Sequence, residues 1–222
     1  MKSAIIVFPG SNCEIDLKSA LKKTSKKKIE LLWHKEKSLP KNLDIIFLPG
    51  GFSYGDYLRS GAIASKSPIM SEVIKFANNG GYIFGICNGF QILTETKILP
   101  GVLLRNQHIK FICNIQKISI SSYDTIFTNN ISLKKNTLKI PISHHDGNYF
   151  CNNEILKELK EEDRIVFKYL KNPNGSISDI AGIVSKNRRV LGMMPHPERP
   201  NKNFEDGNSG QEIFNSILKF FN

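Results

Sequence analysis

The chain has 222 residues, 40% of them hydrophobic, and a formal net charge of +11. That is enough apolar material for one core, so a single domain over residues 1–222 is expected, and no apolar run approaches the ~20 residues a membrane helix needs. Cys13, Cys87, Cys113 and Cys151 are widely spaced, with no Cys-x-x-Cys pair, which argues against a metal site or disulfide framework and for a cytoplasmic protein.

The positive charge is mostly lysine strewn along the chain. Its longest run, Lys26-Lys27-Lys28, has no interleaved aromatics on which bases would stack, so it reads as solvated surface and not as a nucleic-acid site.

In chain order, Ser3–Phe8 reads as a buried strand. Ser11 or Asn12 is placed to cap a helix running to about Lys23. Ile29–Trp33 and Asp44–Leu48 read as further strands, the second without alternation, as in a strand buried on both faces. A loop rich in glycine and aromatics follows, from Pro49 to Gly61. A helix is expected from Ser67 to Asn79, ended by Gly80-Gly81, then a strand over Tyr82–Ile86 and a helix over Phe90–Thr96.

This order predicts an α/β fold: a flavodoxin-like, doubly wound, mostly parallel sheet with helices on both faces. Short apolar runs at Val102–Leu104, Phe111–Ile120, Leu138–Ser143, Ile165–Tyr169, Ile177–Val184 and Val190–Met194 predict added antiparallel strands, as hairpins beside the main sheet. Gly210–Phe220 has helical core spacing.

The stretch Gly85-Ile86-Cys87-Asn88-Gly89 carries the chemistry. Gly-x-Cys-x-Gly between strand and helix is the sulfur form of a nucleophile elbow. It lifts Cys87 to a helix N-terminus, whose positive end favours the reactive thiolate. A nucleophile of this kind needs a base and the base an orienting group. Met194-Pro195-His196-Pro197-Glu198-Arg199-Pro200 supplies both. Three prolines hold it extended, and positions two apart share a side, so Glu198 falls beside His196. Cys87, His196 and Glu198 form a candidate triad. Asn88, the residue after the nucleophile, offers one oxyanion N–H, and Gly50 or Gly51 another. Cys13 is a rival nucleophile without an elbow. His144-His145-Asp146 has ligand-type residues, but neighbouring histidines on a strand face opposite ways, so one ion would not hold both.

Taken together, the residues resemble class I glutamine amidotransferases, whose pattern is Gly-x-Cys-x-Gly-x-Gln with a distant His-Pro-Glu. The blocks 9–13, 49–59, 85–91 and 193–199 bring the resemblance closest to the glutaminase subunits that serve a synthetase of purine synthesis. Where that group usually has His-Gly-Glu-Gly-Arg, this chain has His144-His145-Asp146-Gly147-Asn148. The resemblance implies hydrolysis of glutamine through a Cys87 thioester, with the oxyanion held by Gly51 and Asn88 and with Gly50, Gln91 and His144 among the glutamine contacts. It implies a large synthetase partner that carries ATP and Mg²⁺, a small accessory subunit, and no cofactor, nucleic acid or membrane for this chain. No Gly-x-x-x-x-Gly-Lys-Ser/Thr loop is present, in keeping with ATP use elsewhere. A stand-alone cysteine hydrolase or peptidase, a binding module with a decayed site, and an amidotransferase serving another acceptor are the alternatives.

Overall fold

The structure is a computed structural model and describes residues 1–24, 27–199 and 209–221. Lys26 and Pro200 lie outside those residues, so the basic run and the proline-rich segment are described only in part.

Five strands build the predicted parallel half: β1 (Ser3–Val7), β2 (Ile29–Trp33), β3 (Ile45–Leu48), β4 (Tyr82–Ile86) and β11 (Val190–Met193). They lie in the order β2-β1-β3-β4-β11, every pair parallel. This is the doubly wound order expected from the alternation of strands and helices. α1 (Glu14–Thr24) and α5 (Gln211–Phe221) pack together on one face, and α3 (Asn88–Glu95) covers the other. β4 separates the two layers through its alternation. Phe84 packs on Phe47, Phe127 and Phe214, whereas a Cβ on the next residue, Gly85, would stand 2.7 Å from Gly89 in α3. Only glycine lets the helix that follows Cys87 lie this close to its own strand.

The second-half strands do not stand apart as hairpins. β6 (Ile112–Ile120), β7 (Thr137–His144), β9 (Ile165–Tyr169) and β10 (Ile180–Val184) continue the same sheet past β11, antiparallel, in the order β11-β10-β9-β6-β7. β5 (Val102–Leu104) and β8 (Asn148–Phe150) form a separate pair.

Three expectations need correction. The expected strand Ile177–Val184 begins instead with a 3-10 turn at Ile177–Asp179, because Ser178 and Asp179 take φ of 52° and 60°. Neither Ser11 nor Asn12 caps α1. Ser11 Oγ accepts from the Phe8 N–H and Asn12 Oδ1 from the Cys13 thiol, and the helix starts at Glu14. A helix not foreseen, α4 (Asn153–Glu161), has Asn152 Oδ1 accepting from the Ile155 N–H as its cap and Leu159 buried.

Candidate active site

The carboxyl ends of β3, β4 and β11 bring three loops together, as the fold rule for open α/β sheets requires. At the end of β4, Cys87 takes φ 49° and ψ −104°, a strained conformation that marks the elbow. It is held from both sides. The Cys87 N–H donates to Met193 O at 2.8 Å, and its carbonyl accepts from the N–H groups of Phe90 and Gln91, the first turn of α3. Cys87 Sγ lies 3.8 Å from Ser143 O at the end of β7. As the first residue of a helix, Asn88 has no carbonyl four residues back for its N–H to reach.

The segment after β11 carries His196, the base expected from the sequence. The His196 N–H donates to Pro141 O at 2.8 Å, which pins the backbone to β7. The side chain is 1% exposed, and Nδ1 donates to Glu198 Oε1 at 2.6 Å. Among the described residues Nε2 has no hydrogen-bond partner. Burial opposes the imidazolium, but Glu198, Cys87 and Cys13 around it outweigh that and hold its pKa well above the ordinary imidazole range. The structure therefore brings His196 and Glu198 together as the spacing predicted, and sets Cys87 among the groups acting on the ring.

The end of β3 closes the site from behind. A Cβ on Gly50 would meet His196 Cε1 at 2.6 Å and Cys13 Sγ at 3.2 Å. Gly51 has φ 137° and bridges to Ser11, with no room for a side chain against Asn12 N at 2.8 Å. Both glycines are thus required by space, Gly51 by its backbone as well.

Two residues that the sequence reading left outside the triad lie at this centre. Cys13 is fully buried, with its Sγ 4.0 Å from His196 Nδ1 and accepting from Arg199 Nη2 at 3.1 Å. Arg199 directly follows the His-Pro-Glu segment, which was the available signal. The Cys13, His196 and Glu198 ligand atoms lie within 4.8 Å of one another. They are already engaged: Glu198 holds Nδ1, and the guanidinium of Arg199 puts positive charge where a cation would have to sit.

On the far side of α3 a polar network surrounds Asn88 and Gln91, both buried. Asn88 Nδ2 donates to Gln91 Oε1 at 2.9 Å and, at 3.5 Å, to Asp56 Oδ1. Asn88 Oδ1 accepts from the Ser53 N–H. Gln91 Nε2 donates to Asp146 O at 2.6 Å. Both polar ends of Gln91, expected to touch substrate, are thus bonded within the protein. Asp146 in turn accepts from Ser60 and pairs with Arg105. Asp56 is pushed up to about 6, chiefly by burial and further by Asp146, against the hydrogen bond from Ser60.

His144 is buried. Nδ1 donates to Asn106 Oδ1 at 3.0 Å, which also accepts from the Gly147 N–H, and among the described residues Nε2 has no partner. Burial, with His196 nearby, depresses its pKa to about 3, so it is a neutral acceptor. Asn106, which fixes this tautomer, carried no recognisable pattern in the sequence.

A profile of the CobB/CobQ-like glutamine amidotransferase domain matches residues 1–221. The subunits PurQ of phosphoribosylformylglycinamidine synthase from a Ruegeria species and a Jannaschia species are 50% and 51% identical over 217 residues, 98% of this chain and 97% of each relative. A chain from a solved structure of PurLQS from Thermotoga maritima superposes with a TM-score of 0.87 at 38% identity, covering 100% of this chain and 99% of that one. A glutamine amidotransferase from the same organism, 17% identical with a TM-score of 0.60, covers 89% of this chain and 76% of its own, and shares the fold.

Proposed function

The chain belongs to the CobB/CobQ-like glutamine amidotransferase domain family, and we propose that it is the glutaminase subunit of a phosphoribosylformylglycinamidine synthase, folded as one domain. The observation that carries the chemistry is the 2.6 Å bond between His196 Nδ1 and Glu198 Oε1 beside a cysteine in the elbow conformation. In this reading, Cys87 Sγ attacks the side-chain carboxamide of glutamine. The oxyanion is held by the N–H groups of Gly51 and Asn88. His196, whose pKa is raised by Glu198 and Cys87, gives a proton from Nε2 to the departing nitrogen. The C–N bond breaks, ammonia leaves, and a glutamyl thioester remains. Water then gives a proton to His196 and adds to the thioester, releasing glutamate and restoring the thiol–imidazole pair.

Ammonia is consumed on a synthetase subunit, which amidinates formylglycinamide ribonucleotide with ATP and Mg²⁺; this chain contributes no cofactor. A small accessory subunit completes the complex. No helix among the described residues is long and apolar enough to cross a membrane, and the four cysteines are free. We place the enzyme in the cytoplasm, where thiols stay reduced, and assign it neither a membrane nor a nucleic acid as partner. Gly50 and Gln91 shape the glutamine pocket from behind, Gly50 against His196 and Gln91 against Asp146, while His144 offers Nε2 as an acceptor.

The test is Cys87→Ala in the assembled complex. Glutamine-dependent product formation is lost, and synthesis from an ammonium salt persists, because Cys87 only generates ammonia. Equal loss of both reactions would refute this division of labour.

A further inference from the structure

Cys13 is a buried thiol at this centre that the reaction above does not use. Its contact with the imidazole is to Nδ1, 4.0 Å away, the nitrogen already bonded to Glu198. Nδ1 carries the proton given to Glu198, so it cannot take one from Cys13. The sulfur therefore stands at the wrong nitrogen to be a second nucleophile.

What Cys13 does is join two segments. On one side is the loop between β1 and α1. Tyr54 N–H donates to Pro9 O at 2.6 Å, Phe52 N–H to Gly10 O at 3.0 Å, and Ser11 bridges Gly51, so residues 9–11 hold the segment of the expected oxyanion donor. On the other side is the segment after β11, with His196, Glu198 and Arg199. The Cys13 thiol donates to Asn12 Oδ1 at 3.2 Å and accepts from Arg199 Nη2 at 3.1 Å. The residue itself is fixed, since Cys13 O accepts from the Leu17 N–H in the first turn of α1. A Cβ on Gly50 would stand 3.2 Å from Cys13 Sγ and 2.6 Å from His196 Cε1, so no slack remains between sulfur, ring and strand end.

We infer that Cys13 is a positioning residue, its sulfur held between Asn12 and Arg199 so that the segment bearing the base keeps register with the loop that holds Gly51. The inference rests on the functional reading above and deepens it. A base and an oxyanion donor on separate loops act together only while their separation is held to a fraction of an ångström. A methyl at this place neither donates nor accepts, and it leaves the half-buried guanidinium of Arg199 without the sulfur. A hydroxyl keeps both roles on a shorter bond.

The same contact bears on the charge of His196. The groups facing the ring are Glu198 from its own segment, Cys87 from the elbow, Cys13 from the β1–α1 loop and the neutral His144 from β7. Burial opposes the imidazolium, whereas Glu198, Cys87 and the contact with Cys13 favour it. Loss of Cys13 therefore lets the imidazolium give up its proton at lower pH.

The experiment measures kcat, KM and the pH profile of glutamate release in the assembled complex for Cys13→Ala, Cys13→Ser, Arg199→Met and the double variant Cys13→Ala/Arg199→Met, with the melting temperature of each as the report on its fold. Cys13→Ala and Arg199→Met are each expected to lower kcat about tenfold to a hundredfold while KM stays within about twofold. The double variant is expected to be no worse than the weaker single one, because both remove one contact. Cys13→Ser recovers most of kcat. The alkaline limb of the profile moves to lower pH in Cys13→Ala and returns in Cys13→Ser. Parental kcat in Cys13→Ala and Arg199→Met would overturn the inference. So would losses that multiply in the double variant, or a Cys13→Ser variant as slow as Cys13→Ala with the limb unmoved, since the thiol would then only fill space. If Cys13→Ala does not melt cooperatively, Arg199→Met decides, and parental kcat there is the refuting result. A parent complex that releases no glutamate would instead overturn the functional reading itself.

Discussion

Gly50→Ala tests the geometry of the base more sharply than removing the base does. Gly50 carries no positive φ, so alanine meets no backbone penalty there, and the whole effect comes from one added methyl. Its carbon would lie 2.6 Å from His196 Cε1, where ordinary contact begins at 3.4 Å, so something must yield by the difference, 0.8 Å. The β3 end is tied down, since Phe52 N–H donates to Gly10 O and Gly51 is wedged against Asn12. Cys13 Sγ, 3.2 Å from the same position, blocks a sideways escape. The imidazole is left to move. A misplacement of ~1 Å in a catalytic group costs ~10²-fold in rate, about 2.7 kcal/mol of transition-state stabilisation. The expected result is a kcat for glutamate release lowered about a hundredfold in the assembled complex. KM changes little, the melting temperature falls by only the few degrees that ~1–3 kcal/mol of overpacking costs, and ammonia-dependent synthesis is untouched. A kcat within about threefold of the parent would show that the ring is not seated against Gly50, and the argument would fail.

Three other outcomes are expected. His196→Ala loses glutaminase turnover by several orders of magnitude and Glu198→Gln loses less, because the orienting group supports the base without touching substrate; a near-normal His196 variant in a glutamate-release assay would move the base role, first to His144. The isolated chain is expected to release glutamate slowly and to be accelerated by the synthetase with ATP and the formylglycinamide substrate, because a partner contact that turns the Gly51 N–H into the oxyanion hole would add one donor, worth ~10²–10³ in rate; a lone chain running at the rate of the complex would sink this. The pKa of His144, near 3 when folded against an ordinary 6.5, means that the unfolded chain takes up a proton between those values and the native chain does not. Stability therefore falls as pH drops from about 6.5 towards 3, by up to ~1.4 kcal/mol per pH unit. In urea titrations the stability of His144→Gln relative to the parent is expected to rise over that window, and a difference independent of pH would contradict the assignment.

The sequence by itself determined what depends on near neighbours. The run Tyr82–Ile86, the glycines on either side of Cys87 and the two-residue spacing of His196 and Glu198 are local signals, and each reappears as strand, elbow and hydrogen bond. The doubly wound order follows from the alternation of elements for the same reason. α4 also has local signals, with Asn152 as cap and Ile155, Leu156 and Leu159 at helical spacing, although the sequence analysis did not assign it. What the tertiary structure decided lies between residues far apart in the chain. Nothing near Cys13 announces that Arg199, 186 positions away, will rest on its sulfur. Nothing near Gln91 announces that Asp146 O will take its amide, or near Gly50 that an imidazole will fill the space a Cβ would need. Periodicity and motif spacing report only which face a residue presents. Which groups meet across that face is set by the closing of β3, β4, β7 and β11 around one point, and long-range packing of that kind leaves no local trace in the chain.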